Sequence, residues 1–450
     1  MEKQKSFQYE ELFKIALPIT AQCIFQSSYN FIDQIMVGQL GTVSIAGSGL
    51  SSKFCGLCSV TISAVAAVAS ILIAQYYGSN KKKGVNTSFF ANLYLALMVM
   101  LLFMLPSLFI PEKIMGLYTE DMNACLAAAG YLRIISLSFL PMTVTMLCSA
   151  LFRSIQESKI PLFGSICSMG LNIAGNYFLI FGIGIFPALG LNGAAAATLF
   201  ARCVEALIMV VFLVRKNREK ELSLHPAITC TKEEIKRIFI MVIPILANEF
   251  LWSLGENVYA MIYGRLGTEE VAAMTLTGPL QGLFVGLFSG VSSAAVVMIG
   301  ARLGKDEYEE AYQASKTLMK IGFWGSILLG AVLALSAPFY VRIFKVEKEV
   351  KEITVYILFA FSAVLFAKVC NMIMGGGIIR SGGKTNITLV IDLIGTWVFG
   401  VPLGLLTAFL FHLPVYWVYF ILSLEEVIRL VISMVVFKKR IWMKNLTGSV

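Results

Sequence analysis

The chain has 450 residues, of which 58% are hydrophobic and only 14% charged, and its mean hydropathy is +0.79. A soluble domain carries roughly 25% charged residues, so this composition excludes a water-soluble globular protein and requires a bilayer as solvent. The net charge of +9 would suit a nucleic acid. The basic residues, however, lie between apolar blocks, so we predict no nucleic-acid partner.

Twelve apolar blocks are long enough to cross the hydrocarbon as helices, which takes roughly 20 residues each. They lie at 11–38, 45–77, 86–110, 122–152, 161–183, 190–214, 235–263, 270–302, 313–340, 352–379, 386–410 and 415–437. The blocks are too long for barrel strands and do not alternate with period two. We therefore predict an all-α integral membrane protein with twelve transmembrane helices.

Lysine and arginine are concentrated in every second connecting segment. The run Lys81 to Lys83 follows the second block, a charged stretch follows the sixth, and the run Lys438 to Arg440 follows the last. The positive-inside rule then predicts that both termini are cytoplasmic, which agrees with an even number of spans. The N-terminus shows no cleavable signal peptide. We expect a multi-pass protein of the cell (inner, cytoplasmic) membrane.

The sequence contains an internal repeat. Three pairs of landmarks are separated by one constant offset: Pro18 and Pro244, Gly41 and Gly267, Gly78 and Gly304. The fourth block of each half ends at Arg153 and Arg380, which lie a single position further apart. Six helices per repeat insert both halves with the same orientation, as a parallel repeat. We predict an N-terminal lobe at 1–214, a cytoplasmic linker at 215–236 and a C-terminal lobe at 237–450. Repeats of this kind mostly belong to transporters.

Asp33 is the first candidate functional residue. It lies about fifteen residues after Pro18, inside the first apolar block. A lone carboxylate in hydrocarbon costs several kcal/mol unless it is paired, hydrated or protonated. Such a group is suited to exchange a proton or Na+ for another cation. The alternative is an interfacial aspartate that caps the helix end near Gly38.

Polar residues on the fifth and sixth blocks form a second candidate group. Asn172 and Asn176 are one helical turn apart and share a face. Thr198 follows a run of four alanines that permits close helix packing. Hydrogen bonding between helices, without any ligand, is the alternative explanation.

The second half carries its own charged residues. Glu249 and Glu256 are two turns apart on one face, with Trp252 near them, while Lys368 and Asn371 lie within the tenth block. Charged groups at this depth must meet one another or water. Our hypothesis is an ionic cluster of Glu249, Glu256 and Lys368 that binds a cation or protons. A purely structural Glu–Lys pair is the alternative.

Several motifs in order resemble the MATE (multidrug and toxic compound extrusion) exporters, along residues 8 to 440. They are Leu17-Pro18, Tyr29-Asn30-Phe31-Ile32-Asp33, the two Gly-x-Leu-Gly segments, Arg153-Ser-Ile-Gln156-Glu-Ser-Lys159-Ile-Pro161, Leu171-Asn172-Ile-Ala-Gly-Asn176-Tyr177 and Gly190-Leu-Asn-Gly193. The resemblance implies two six-helix bundles in a V. It also implies secondary active export of organic cations and drugs by Na+ or H+ antiport, through alternating access.

The resemblance also assigns roles to residues. It implies that Asp33, Asn172, Asn176 and Thr198 bind the coupling cation, and carboxylate, amide and hydroxyl oxygens together suit Na+. Some relatives carry a second acid where this chain has Asn176. We expect no cofactor beyond the coupling ion, and as partners the lipid bilayer and cationic or amphipathic drugs, for a monomer.

The chain has 20 Met and 32 Phe, which supply the adaptable surface of a promiscuous pocket. The candidates for the drug cavity itself are Gln26, Tyr29, Asn30, Trp252 and Asn371.

Three other functions remain to be weighed. A flippase for lipid-linked precursors shares the general fold, but usually holds several cationic residues that meet phosphate. An enzyme would need a nucleophile with a base, or metal ligands, inside the spans, so we expect none. A passive channel would not require an ion gradient.

Overall fold

The computed structural model describes residues 16–25, 32–33, 36–37, 39–40, 42–118, 122–183, 187–219, 222, 224–225, 232–343 and 347–447. Within these residues the regular structure is helical and contains no strand. The predicted all-α fold is confirmed.

The helices of the first half carry the labels α1 to α8. They are α1 (Ala16–Phe25), α2 (Thr42–Gly78), α3 (Lys82–Phe109), α4 (Pro111–Gly116), α5 (Met122–Ile135), α6 (Phe139–Ser154), α7 (Lys159–Phe181) and α8 (Gly190–Arg218). A short 3₁₀ turn, Ser136–Ser138, joins α5 to α6 within one continuous span.

The helices of the second half carry the labels α9 to α16. They are α9 (Lys232–Gly264), α10 (Thr268–Gly304), α11 (Tyr308–Tyr340), α12 (Lys348–Asn371), α13 (Thr385–Leu393), α14 (Val401–Leu405), α15 (Val415–Ser423) and α16 (Glu425–Lys438). Three π-helical segments connect them, at Met372–Ile379, Ile394–Gly400 and Leu406–Leu410.

Ten helices of the described part of the chain are long and apolar enough to cross a membrane. They correspond to the second to eleventh predicted spans. The twelfth predicted span is helical as α15 and α16, with a break at Leu424. The first predicted span, 11–38, is only partly described, as α1 and the helical residues 32–33 and 36–37.

The chain packs as two compact units, Ala21–Val242 and a second unit of Ile243–Val450 together with Met1–Thr20. We call them the N-terminal and the C-terminal unit. Residues 16–20 thus pack with the second half, where Thr20 Oγ1 donates to the Leu287 carbonyl at 3.3 Å. The predicted lobes divide at the linker 215–236. The compact units divide instead next to the prolines of α1 and α9.

Small residues allow α7 and α8 to pack closely in the N-terminal unit. A Cβ at Gly175 would lie 3.0 Å from the Cβ of Ala197, and any side chain at Gly193 would overlap the Leu179 carbonyl. Ala194 and Ala197 are fully buried in this contact. The close approach, which the alanine run predicts, brings polar side chains of the two helices within hydrogen-bonding distance.

Candidate functional site

Asp33 and the three polar residues predicted with it are joined in the structure. Asn176 Nδ2 donates to Asp33 Oδ1 at 2.7 Å and to Asn172 Oδ1 at 2.9 Å. Asn172 Nδ2 in turn donates to Thr198 Oγ1 at 3.0 Å. The two asparagines and Thr198 are buried, and Asp33 is half-buried. Hydrogen bonds therefore link the Asp33 carboxylate, through the two asparagines of α7, to the Thr198 hydroxyl of α8.

The Asn176 side chain has one unused acceptor. Its Oδ1 atom is buried and has no hydrogen-bond partner among the residues that the structure describes. A buried acceptor without a partner costs about 1–3 kcal/mol. A cation or a protonated group between Asn176 and Asp33 would satisfy this oxygen and the carboxylate together. The residues present therefore fit a small cation or a proton, although the ion-binding role stays a prediction.

Arg429 on α16 organises a larger ionic network in the C-terminal unit. Its guanidinium nitrogens lie 3.2 Å from a Glu425 oxygen, 3.7 Å from an Asp392 oxygen and 3.9 Å from a Glu426 oxygen. It also donates to Thr396 Oγ1 in the π-helical segment Ile394–Gly400. One buried cation therefore faces three carboxylates, and such a set needs further donors to be stable.

Those further donors come from other helices. Each carboxylate accepts one more hydrogen bond: from Tyr259 to Glu425 at 2.6 Å, from Asn371 to Glu426 at 2.8 Å, and from Asn248 to Asp392 at 2.9 Å. The network thus ties together α9, α12, α13 and α16.

A cavity of about 290 Å³ opens beside this network. Its charged lining consists of Glu256, Glu425, Glu426 and Lys368, and three tyrosines and Gln281 also line it. Among the described residues, neither Glu256 nor Lys368 has a hydrogen bond or a direct ion pair. The volume lies near the lower end of small-molecule pockets. Three carboxylates against one lysine favour a positively charged guest.

The predicted cluster of Glu249, Glu256 and Lys368 forms only in part. Glu256 and Lys368 line one cavity, whereas Glu249 is not among the lining residues and lies 3.8 Å from an Arg380 nitrogen. Two turns separate the glutamates along α9, so each meets a different neighbour. The sequence pattern cannot reveal this, because it does not locate Arg380.

The predicted drug-cavity residues have different outcomes. Trp252 is 48% exposed and does not line the cavity. Asn371 bonds to Glu426, at the edge of the network. Gln26, Tyr29 and Asn30 lie outside the described residues.

Sequence reasoning missed several charged residues within the helices, namely Arg202, Glu205, Asp392, Glu425, Glu426 and Arg429. The repeat itself held a signal for two of them, because Arg202 and Arg429 are separated by the same offset as Arg153 and Arg380. The carboxylates gave no such signal, since the acids of the two halves occupy different positions. Asp33, for example, corresponds to Tyr259, whose hydroxyl donates to Glu425.

A duplicated set of membrane-length helices with ionisable side chains inside each half defines a multi-pass membrane protein of the transporter class. The MatE family model matches two segments of the chain, 18–178 and 244–406. The chain therefore belongs to the MATE family. The two matched segments begin at Pro18 and Pro244, the pair of prolines that first reveals the repeat.

Relatives and solved structures match this chain over nearly its full length. The chain is 25% identical to the uncharacterized transporter YisQ of Bacillus subtilis, over 96% of this chain and 95% of that protein. It is 23% identical to the probable multidrug resistance protein NorM of Thermotoga maritima, over 97% and 93%. A crystal structure of MATE in the straight conformation matches with a TM-score of 0.89 at 19% identity, over 96% of each chain.

Proposed function

We propose that the chain is a secondary active exporter that moves organic cations and other drugs out of the cell in exchange for Na+ or H+. The observation that carries this proposal is the Asp33 carboxylate, which Asn176 holds beside a buried oxygen without a partner in the described part of the chain. A carboxylate in so little water binds one positive guest at a time, because a second would leave an unpaired buried charge. Competition between the drug and the coupling ion for that position would couple their movements.

Two further observations support drugs as the cargo. Several relatives are named as probable multidrug resistance proteins. The cavity of the C-terminal unit combines an excess of carboxylates with Tyr259, Tyr263 and Tyr419. Aromatic faces and carboxylates both attract organic cations. The same acidic lining would repel the phosphates of a lipid-linked precursor, which disfavours the flippase alternative.

The basic residues support a cell-membrane protein with both termini in the cytoplasm, because they are concentrated on one predicted side. The function needs no cofactor beyond the coupling ion, no nucleic acid and no catalytic group. A single chain contains both units and is sufficient for alternating access.

Transport in inverted membrane vesicles tests the proposal. The lumen of the vesicles corresponds to the cell exterior, so it is loaded with Na+ or with acid, and ethidium uptake is measured by fluorescence. We expect saturable uptake that collapses when the gradient is dissipated. Uptake without any gradient would indicate a channel, and transport of a lipid-linked sugar in place of ethidium would indicate a flippase.

A further inference from the structure

An acid and a base without direct partners line the cavity of the C-terminal unit. Glu256 on α9 and Lys368 on α12 both contribute to its wall. Neither side chain has a hydrogen bond or a direct ion pair among the described residues. A charged group inside a membrane span is costly unless it meets an opposite charge or water. Two such groups at one cavity therefore indicate that a ligand binds there.

The other two carboxylates of the cavity already have protein partners. Glu425 and Glu426 lie 3.2 Å and 3.9 Å from nitrogens of the Arg429 guanidinium. Each also accepts a hydrogen bond, at 2.6 Å and 2.8 Å, from a neighbouring tyrosine or asparagine. These contacts hold both carboxylates within the Arg429 network. The charged groups left for a guest are Glu256 and Lys368.

Helix periodicity explains why both of these residues reach the cavity. On α9, Glu256 lines it together with Tyr263, which lies two turns later on the same face. On α12, Lys368 lines it together with Phe361, which lies two turns earlier on the same face. The ammonium of Lys368 is within electrostatic reach of Glu256, but no direct ion pair joins the two. A molecule in the cavity can therefore meet both charges.

The lining sets two conditions on the charge of a guest. Three carboxylates face one ammonium, so the cavity favours a guest with a cationic group. The rings of Tyr263 and Tyr419, with centroids 6.3 Å apart, add to this preference because aromatic faces attract cations. Lys368 adds a position that attracts an anionic group, which a purely acidic wall would repel.

We propose that the C-terminal cavity binds amphoteric drugs, which carry a cationic group and a carboxylate, and that Lys368 selects them by pairing with the carboxylate. The cationic group lies at Glu256 and the tyrosine rings. This inference rests on the proposed function and gives zwitterions preference within its cargo. A purely cationic guest leaves the ammonium of Lys368 without a direct partner, and a purely anionic guest meets three carboxylates. Both therefore bind more weakly than an amphoteric guest.

A purely structural role of Lys368 leads to a different expectation. If the ammonium served only as a counter-ion for the surrounding acids, its loss would weaken the helix packing and would affect every guest alike. If it pairs with the guest, its loss affects only those guests that carry an anionic group. Two guests that differ in that group alone separate the two roles.

Two dyes with the same cationic ring system provide this comparison. A rhodamine with a free carboxylate is a zwitterion, and its methyl ester is a cation of nearly the same size. Binding of each dye to the purified full chain in detergent is measured by fluorescence anisotropy. Gradient-driven uptake of each dye is measured in liposomes that contain the full chain, and liposomes without protein give the passive background.

We expect the wild type to bind the zwitterionic dye about tenfold more tightly than the ester, in line with one charge-assisted contact. Lys368→Met is expected to abolish this preference by weakening the zwitterionic dye alone, and Lys368→Arg to retain it. Glu256→Gln is expected to weaken both dyes, because both carry the cationic group. Lys320→Met, exposed on α11, is the matched control and is expected to change neither. Uptake is expected to follow the same order.

Two outcomes would overturn the role of Lys368 and leave the proposed function intact. They are equal binding of the two dyes by the wild type, and an equal change for both dyes in Lys368→Met. The second outcome includes a variant that loses its fold, since the lysine would then be structural. Failure of the wild type to take up the ester under either ion gradient would instead overturn the proposed function, and this inference with it.

Discussion

Arg202 and Arg429 occupy matching positions of the repeat, and each interacts with carboxylates of its own unit. The carboxylates themselves come from different helices. Arg202 interacts with Asp33 and with Glu205, whereas Arg429 meets Asp392, Glu425 and Glu426. The arginine is thus common to both units, whereas the carboxylates lie at different positions. The two units therefore hold different ionic sites.

Removal of the Arg429 charge tests how far the C-terminal network depends on that residue. In Arg429→Gln three carboxylates lose their common partner inside the unit. Breaking a buried ion pair from one side costs about 3–5 kcal/mol. We expect a marked fall in the unfolding temperature of the detergent-solubilised protein. Arg215→Gln is the control, because its ion pair with Glu219 is exposed and contributes at most about 1 kcal/mol. Equal melting of the two variants would refute the central position of Arg429.

A substitution of Gly400 tests the packing around the Arg429 network. Any side chain at Gly400 would overlap the Tyr259 hydroxyl and the Glu425 carboxylate. We expect Gly400→Ala to destabilise the protein by about 1–3 kcal/mol, as overpacking does. Gly286→Ala on α10 meets open space and is expected to be neutral or slightly stabilising. Thermal unfolding of both variants provides the comparison, and a stable Gly400→Ala would contradict the described contact.

A second acid beside Asp33 tests the cation preference of the N-terminal unit. In Asn176→Asp two carboxylates would lie within hydrogen-bonding distance, where two ionised acids repel strongly and a shared cation relieves the repulsion. We expect ethidium transport by this variant to become more strongly stimulated by a Na+ gradient than transport by the wild type. Replacing Na+ with choline is the control. The same Na+ response in both proteins would count against Asn176 as part of the cation site.

The two glutamates of α9 allow a matched comparison in the C-terminal unit. Glu256 lines the cavity without a direct partner among the described residues, whereas Glu249 pairs with Arg380. We expect Glu256→Gln to reduce ethidium transport because the cavity loses one of its carboxylates. Glu249→Gln is expected to lower thermal stability more than transport. Unchanged transport by Glu256→Gln would reject a role of the cavity in coupling or in drug binding.

Much of the fold was predictable from the sequence, because a bilayer forces apolar blocks to be helices of limited length. The offset between Pro18 and Pro244 revealed the duplication, and the same offset separates the starts of the two family-model matches. The break at Leu424 was not predicted, because hydropathy averaged over the whole span hides Glu425 and Glu426, which directly follow it. The compact units divide next to the two prolines, a position that neither hydropathy nor charge marks in the sequence.

The site was predictable only where helical periodicity places residues on one face. The spacing of Asn172 and Asn176 predicted a shared face, and the structure joins both residues to Asp33. Which partner a charged residue finds depends on neighbouring helices, and periodicity within one helix says nothing about those. The pairing of Glu249 with Arg380 and the three acids around Arg429 therefore emerge only from the packing.

The central claim concerns the charge of Asp33, and its neutral variant tests it most directly. Ethidium uptake is measured in inverted vesicles with imposed Na+ or pH gradients, for the wild type and for Asp33→Asn at equal protein levels. The amide keeps the size of the side chain but can neither hold a proton nor attract a cation, so gradient-driven uptake is expected to fall to the level of empty vesicles. Uptake by Asp33→Asn at the wild-type rate would contradict the account.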